Sequence, residues 1–104
     1  MIVKFKNDYL ERLFTGDTLK GKPKYSDGVI TKFKKVILIL KNAESSIELS
    51  KFMGLNFEAL KGNKKGLYSI RIDQSYRLEF KLENDVIQLT EIAIIEEFSK
   101  HYKF

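Results

Sequence analysis

The sequence predicts an α+β fold. An antiparallel sheet, made of an N-terminal strand and a C-terminal meander of three to four strands, carries two N-terminal helices on one face, and a short helix closes the chain. Three observations predict it. Apolar residues follow helical spacing before Phe57, the period changes to two from there on, and clusters of chain-breaking residues separate the runs. Helices first and a meander last place the helices on the apolar side of the sheet. At 104 residues the chain has room for a single domain, residues 1–104. A chain of this size buries about two-thirds of the surface that its unfolded form exposes, enough for one core without staples.

Taken in order, "IVKF" reads as a short strand and "DYLERLF" as a short helix. The only proline, Pro23, lies in the breaker-rich loop "GDTLKGKPKYSDG" at 16–28. Ser26 can cap a second helix that runs to about Asn42. There Ile30, Phe33, Ile37 and Leu40 make one stripe, and Lys32, Lys34, Lys35 and Lys41 fall on the other sides, where basic residues are solvated. "AESSIELSKF" reads as a short helical turn. Tyr68, Ile70 and Ile72 then alternate with Ser69, Arg71 and Asp73, and Tyr76, Leu78, Phe80 and Leu82 alternate with Arg77, Glu79, Lys81 and Glu83. Each run reads as a half-buried strand with one wet side. A third run, "VIQLTEIA", follows the "ND" turn. In the closing "IIEEFSKHYKF", Ile95, Phe98 and Tyr102 share one face of a helix.

Side-chain alternation sets the register of the meander. A three-residue loop, Asp73-Gln74-Ser75, pairs Ile72 with Tyr76 and Ile70 with Leu78, and so puts Arg71 directly opposite Arg77 on the outer side. A two-residue loop, Asn84-Asp85, pairs Leu82 with Ile87 and Phe80 with Leu89. It also places Glu91 on the core side opposite Leu78, where a bulge or an end to pairing is expected. Lys81 lies further along the outer side, and Lys61, Lys64 and Lys65 come from the preceding loop. Like charges across a hairpin are mildly destabilising. Two readings follow. Arg71 pairs with Glu79, and Arg77 with Glu79 or Glu91, in an ordinary mixed-charge sheet; or the two guanidiniums wait for a shared anion.

Composition narrows the chemistry. Lysine and arginine number 19 against 14 acidic residues, a net charge of +5, which becomes informative only where the positive residues cluster. Without cysteine there is no disulfide, thiolate nucleophile or thiolate metal site. A zinc site would have to lean on carboxylates around the single histidine, His101, so no metal or cofactor is expected. "MIVKFKNDYL" carries charges inside its apolar run, unlike a signal peptide. The longest aliphatic run, "VILIL", is far shorter than the ~20 residues that cross a bilayer. A soluble, cytoplasmic protein without membrane contact is expected.

The pattern F-x-x-L-K-G-x-x-x-G-x-Y-S-I-R-I-x-x-x-Y-R-L-x-F at 57–80 resembles the HigB branch of the RelE/ParE toxin superfamily. The likeness extends loosely over most of the chain and implies a RelE-like fold. It also implies a toxin of a type II toxin–antitoxin module that acts as a ribosome-dependent, metal-independent mRNA endoribonuclease cutting the A-site codon. By motif position Lys61 and Arg77 match the family's basic residues around the scissile phosphate, and Arg71 joins them across the hairpin. Lys64, Lys65 and Lys81 are candidates for contacts to RNA or the ribosome. A cognate antitoxin, HigA-like with a helix-turn-helix, is the implied partner, and operator DNA would be reached through it. HigB relatives commonly end in a compact Asp-Tyr-His element just after the last strand. Here "EIAIIEEF" stands in that place and His101-Tyr102 comes later.

Cleavage by the 2′-hydroxyl needs a base, an acid and cations at the phosphate. Paired arginines suit the last role, since each presents a planar fork to phosphate oxygens. His101 has the one side chain here with an ordinary pKa near neutrality, and is the candidate acid or base if it is not simply a surface residue. Two rivals use the same fold: a gyrase-poisoning ParE-like toxin, and a non-catalytic RNA-binding protein.

Overall fold

A computed structural model of the chain describes residues 1–16, 25–85 and 90–100. The elements run β1 (Ile2–Phe5), α1 (Asp8–Thr15), α2 (Asp27–Asn42), α3 (Ser46–Leu49), β2 (Glu58–Ala59), β3 (Tyr68–Arg71), β4 (Tyr76–Asp85) and β5 (Thr90–Lys100). Short 3₁₀ turns at Met53–Leu55 and Gly62–Lys64 flank β2.

Local chemistry accounts for the helix ends. The Asn7 side chain accepts the Leu10 N–H at 2.9 Å, and α1 stops at Gly16, whose φ of 83° is open to glycine at little cost. Ser26 Oγ accepts the Val29 N–H at 3.3 Å at the start of α2, as the sequence predicts. Replacing Ser26 with alanine is expected to lower stability by about 1 kcal/mol, read as a fall in the thermal midpoint of roughly 4–8 °C. The α2 stripe is buried at Phe33, Val36, Ile37 and Leu40, while Ile30 is half-buried.

The sheet has the order β1-β5-β4-β3-β2. Its outer-edge strand β1 runs parallel to β5, from Ile2 beside Ile92 to Phe5 beside Ile95, so the sheet is mixed and not wholly antiparallel. A parallel neighbour requires a long crossover, and the helices and β2–β4 supply it. One side of the sheet forms a single core with the helices: Ile70, Ile72, Leu78, Phe80, Ala93 and Ile95 pack with Leu10, Leu13, Phe33, Ile37, Leu40 and Leu49.

The first hairpin has the expected register. Ile70 pairs with Leu78, Arg71 with Arg77, and the Ile72 N–H bonds the Tyr76 carbonyl at 3.0 Å. The second does not. Asn84 and Asp85 continue β4, pairing with Glu91 and Thr90, so Leu82 meets Ala93 and Phe80 meets Ile95 in place of Ile87 and Leu89. Glu91 does reach the helical side, but at the end of the sheet. There its two carboxylate oxygens accept the Ser46 N–H at 2.6 Å and the Ser46 hydroxyl at 2.9 Å, capping α3.

The expected closing helix is strand as far as Lys100. Glu79 pairs with Glu97 but Phe80 with Ile95, leaving Glu96 as a bulge. One extra residue brings positions 95 and 98, three apart, opposite Phe80 and Leu78, both core residues of β4. A bulged strand thereby mimics helical spacing in the sequence. Ten-residue β4 also offers a full ladder of backbone groups, and pairing them all favours strand over helix. His101 and Tyr102 lie outside the described residues.

Candidate functional site

The side of the sheet away from the helices carries Ser69 and Arg71 on β3 and Arg77 and Glu79 on β4, with Glu58 of β2 beside Ser69. It is not the wet surface that alternation implies. Ser69, Arg77 and Glu79 are 1%, 8% and 4% exposed. The reason is a mutual covering by long polar side chains and by the segment that enters β2. Arg77 lies flat across β3: its Nε donates to Ser69 Oγ at 3.0 Å, and its Nη2 donates to the Asn56 carbonyl at 2.9 Å and meets Glu58 Oε1 at 3.1 Å. A solvent-facing, carboxylate-free Arg77 is therefore corrected to a buried and ion-paired one.

Neither arginine takes the carboxylate partner that the mixed-charge reading gives it. Arg71 is half-buried and its Nε donates to the Asp73 carbonyl at 3.2 Å. Glu79 is held by Lys64, Nζ to Oε2 at 2.8 Å, which fastens the 62–64 turn onto this side of the sheet. The second oxygen of Glu79 is buried without a hydrogen-bond partner among the described residues, an arrangement that costs about 1–3 kcal/mol unless a donor arrives. Lys61, Lys65 and Lys81 are exposed, and none has an ion pair among the described residues.

The structure thus sets Arg71 opposite Arg77 in the strand register, turns their guanidiniums to different partners, and places Lys64 on Glu79 of the same side. Lys61 and Lys65 flank the turn that Lys64 anchors, Lys81 stands two positions beyond Glu79, and His101 lies outside the described residues. Three participants escaped the sequence reading. Glu58 and Asn56 belong to a two-residue strand and its approach, too short for any periodicity to show. Ser69 alternates with Arg71, so its side was legible, though not its bond to the guanidinium. The arrangement can hold an anion at fixed, desolvated donors, since Arg77 is anchored through neutral groups on two of its contacts. Among the described residues, no group of three or more His, Cys, Asp or Glu is placed to hold a metal, and no helix is long and apolar enough to cross a membrane.

A groove of about 250 Å³ elsewhere, lined by Leu38, Ile39, Ala43 and Phe52 with Lys35, Asn42 and Glu48, gathers none of these residues.

The model of the HigB-like toxin family, RelE-like toxins of the type II toxin–antitoxin system HigB, matches residues 3–92. The chain belongs to this family. As a type II toxin it has an antitoxin as partner. Its fold is similar to that of a YoeB/ParE toxin from Agrobacterium tumefaciens, with 19% identity, a TM-score of 0.59, and coverage of 98% of this chain and 100% of that one. YafQ from E. coli strain BL21(DE3) has 14% identity and a TM-score of 0.60 over 94% of the toxin and 90% of its own chain. A mutant form of YafQ from E. coli gives 15% and 0.61 with the same coverage. No curated protein sequence matches the toxin significantly.

Proposed function

We propose that the toxin is a ribosome-dependent endoribonuclease that cuts mRNA in the A site, the 2′-hydroxyl attacking the adjacent phosphate to leave a 2′,3′-cyclic phosphate and a 5′-hydroxyl. The observation that carries this reading is the register of Arg71 opposite Arg77 inside a basic surface that Lys64 ties to the 62–64 turn. In it Arg77 and Arg71 clamp the scissile phosphate and Lys61 assists, their charge stabilising the transition state. Lys64, Lys65 and Lys81 position the RNA or ribosome backbone. His101 transfers protons. The antitoxin is HigA-like, acidic where it covers the basic surface, and reaches operator DNA through a helix-turn-helix; the toxin works in the cytoplasm.

Toxin added to a translating extract tests this. Message ends phased with the codon support it, and intact message on stalled ribosomes overturns it. The second outcome favours an RNA-binding protein without cleavage, a reading supported by the three acceptors that already engage Arg77. Breaks in DNA in the presence of gyrase would instead place the toxin with gyrase poisons. Replacing Lys61 with alanine is expected to reduce the salt slope of RNA binding by roughly 0.7, as for one lost phosphate contact on a single strand. An unchanged slope means that Lys61 does not touch the backbone.

A further inference from the structure

We infer that the Lys64–Glu79 ion pair is a latch that sets where Lys61 stands against the arginines, and that Glu79 is thereby a positioning residue for cleavage. The inference rests on the reading of Arg77, Arg71 and Lys61 as the phosphate clamp. Its basis is the contrast between the turn and the strand that the pair joins. Within 61–66 every residue but Lys64 is exposed, and the side chains of Lys61, Asn63 and Lys65 make no hydrogen bond or ion pair among the described residues. A single 3₁₀ turn spans them, closed by the Lys64 N–H on the Lys61 carbonyl at 3.3 Å and the Lys65 N–H on the Gly62 carbonyl at 3.1 Å. Bonds of this geometry are poorer than those of an α-helix, and an exposed turn with few contacts opens locally at little cost. Glu79 is the opposite. It lies on β4, between β3 and β5, and its side chain is 5% exposed against 44% for Lys64.

A carboxylate left buried without a cation is strongly destabilising. One oxygen of Glu79 takes Lys64 Nζ at 2.8 Å and the other has no hydrogen-bond partner among the described residues, so the charge of Glu79 depends on Lys64. Drawing the ammonium to Glu79 draws the turn down with it. Lys61 opens that turn and is bonded to Lys64 through its own carbonyl, so its backbone follows. The anchor is also in register with the clamp: Glu79 faces Ser69 across β3, and Ser69 Oγ is the group that holds Arg77 Nε at 3.0 Å. The Ser69–Glu79 rung therefore fixes both Arg77 and the turn that carries Lys61. Glu79 itself is shut off from a 2′-hydroxyl by its burial and acts through Lys64.

The test is a double-mutant cycle in single-turnover cleavage of message on programmed ribosomes, with wild type, Glu79→Gln, Lys61→Ala and the double variant, each toxin in saturating excess. Glu79→Gln keeps the shape of the side chain and removes the charge that holds Lys64. It is expected to cleave roughly 10- to 100-fold more slowly, the range that a misplacement of about 1 Å can cost. Lys61→Ala is expected to leave a measurable rate, since both arginines remain. The double variant should be no slower than Lys61→Ala alone, because effects that run through one residue do not add. A Glu79 that merely supports the fold would give losses that multiply. In the free toxin, trypsin should cut after Lys61 and Lys65 faster in Glu79→Gln than in wild type, while circular dichroism shows the same fold below the melting transition. Glu79→Leu fills the buried place with neither a charge nor an amide to satisfy, and is carried through the same measurements with the same outcome expected. Unchanged cutting by trypsin, a wild-type cleavage rate in both Glu79 variants, or losses that multiply would overturn the latch while the clamp stands. A wild type that does not cleave, or Lys61→Ala that cleaves at the wild-type rate, removes the role of Lys61 and takes the latch with it.

Discussion

Replacing Arg77 with alanine is expected to abolish growth arrest and to weaken the fold at the same time. Alternation alone makes Arg77 a solvent-facing residue whose loss the fold ignores; the structure has it 8% exposed with three acceptors around it. Its removal strands the Ser69 hydroxyl, buried at 1% exposure, where an unmade hydrogen bond costs about 1–3 kcal/mol, and also frees the carbonyl of Asn56, an exposed residue. Glu58 is mostly exposed and loses little. A net loss of about 2 kcal/mol is expected in urea denaturation, with no growth arrest on induction. Arg77→Lys keeps the charge but not the fork, so it should regain part of the stability and little of the toxicity. Full toxicity in Arg77→Ala would remove the phosphate clamp, and an unchanged denaturation midpoint would remove the structural part.

The second large effect belongs to Phe80, at the centre of the core and fully buried. Its ring stacks with Phe57 at 6.1 Å and with Tyr68 at 6.3 Å between centroids, and its backbone sits opposite Ile95 where β5 bulges. Truncation to alanine is expected to cost about 3–5 kcal/mol from lost transfer and an unfilled cavity. Against a total stability of about 5–15 kcal/mol, that is enough to leave much of the protein unfolded near its growth temperature. Loss of the cooperative thermal transition, seen by circular dichroism, checks it. A variant that melts within a degree of wild type would mean that the strand register around Phe80 is wrong.

What the sequence disclosed depended on how regular each element is. The β3–β4 hairpin was legible down to residue pairs because both strands alternate strictly and a three-residue loop admits one phase. The helices were legible from their stripes and caps. At Glu96 the alternation breaks, and the i, i+3 spacing left behind cannot be told from a helix without knowing that β4 needs a partner there. The site was half legible for a related reason. Alternation tells which side of a strand Arg77 is on, but not that Glu58 and Asn56, from a strand of two residues, lie over it and convert an open surface into a closed one. Burial on a sheet's outer side is a tertiary property with no period of its own.

The position of β5 between β1 and β4 has a further consequence for how the toxin is made. β1 precedes every other described element in the chain, yet its one neighbour in the described sheet, β5, follows them all. Closing that pair joins residues about 90 positions apart, so the entropy of loop closure falls due before its contacts return anything. Until β5 has formed, β1 has no strand beside it in the described sheet, so its pairing waits on closure of the long segment between them.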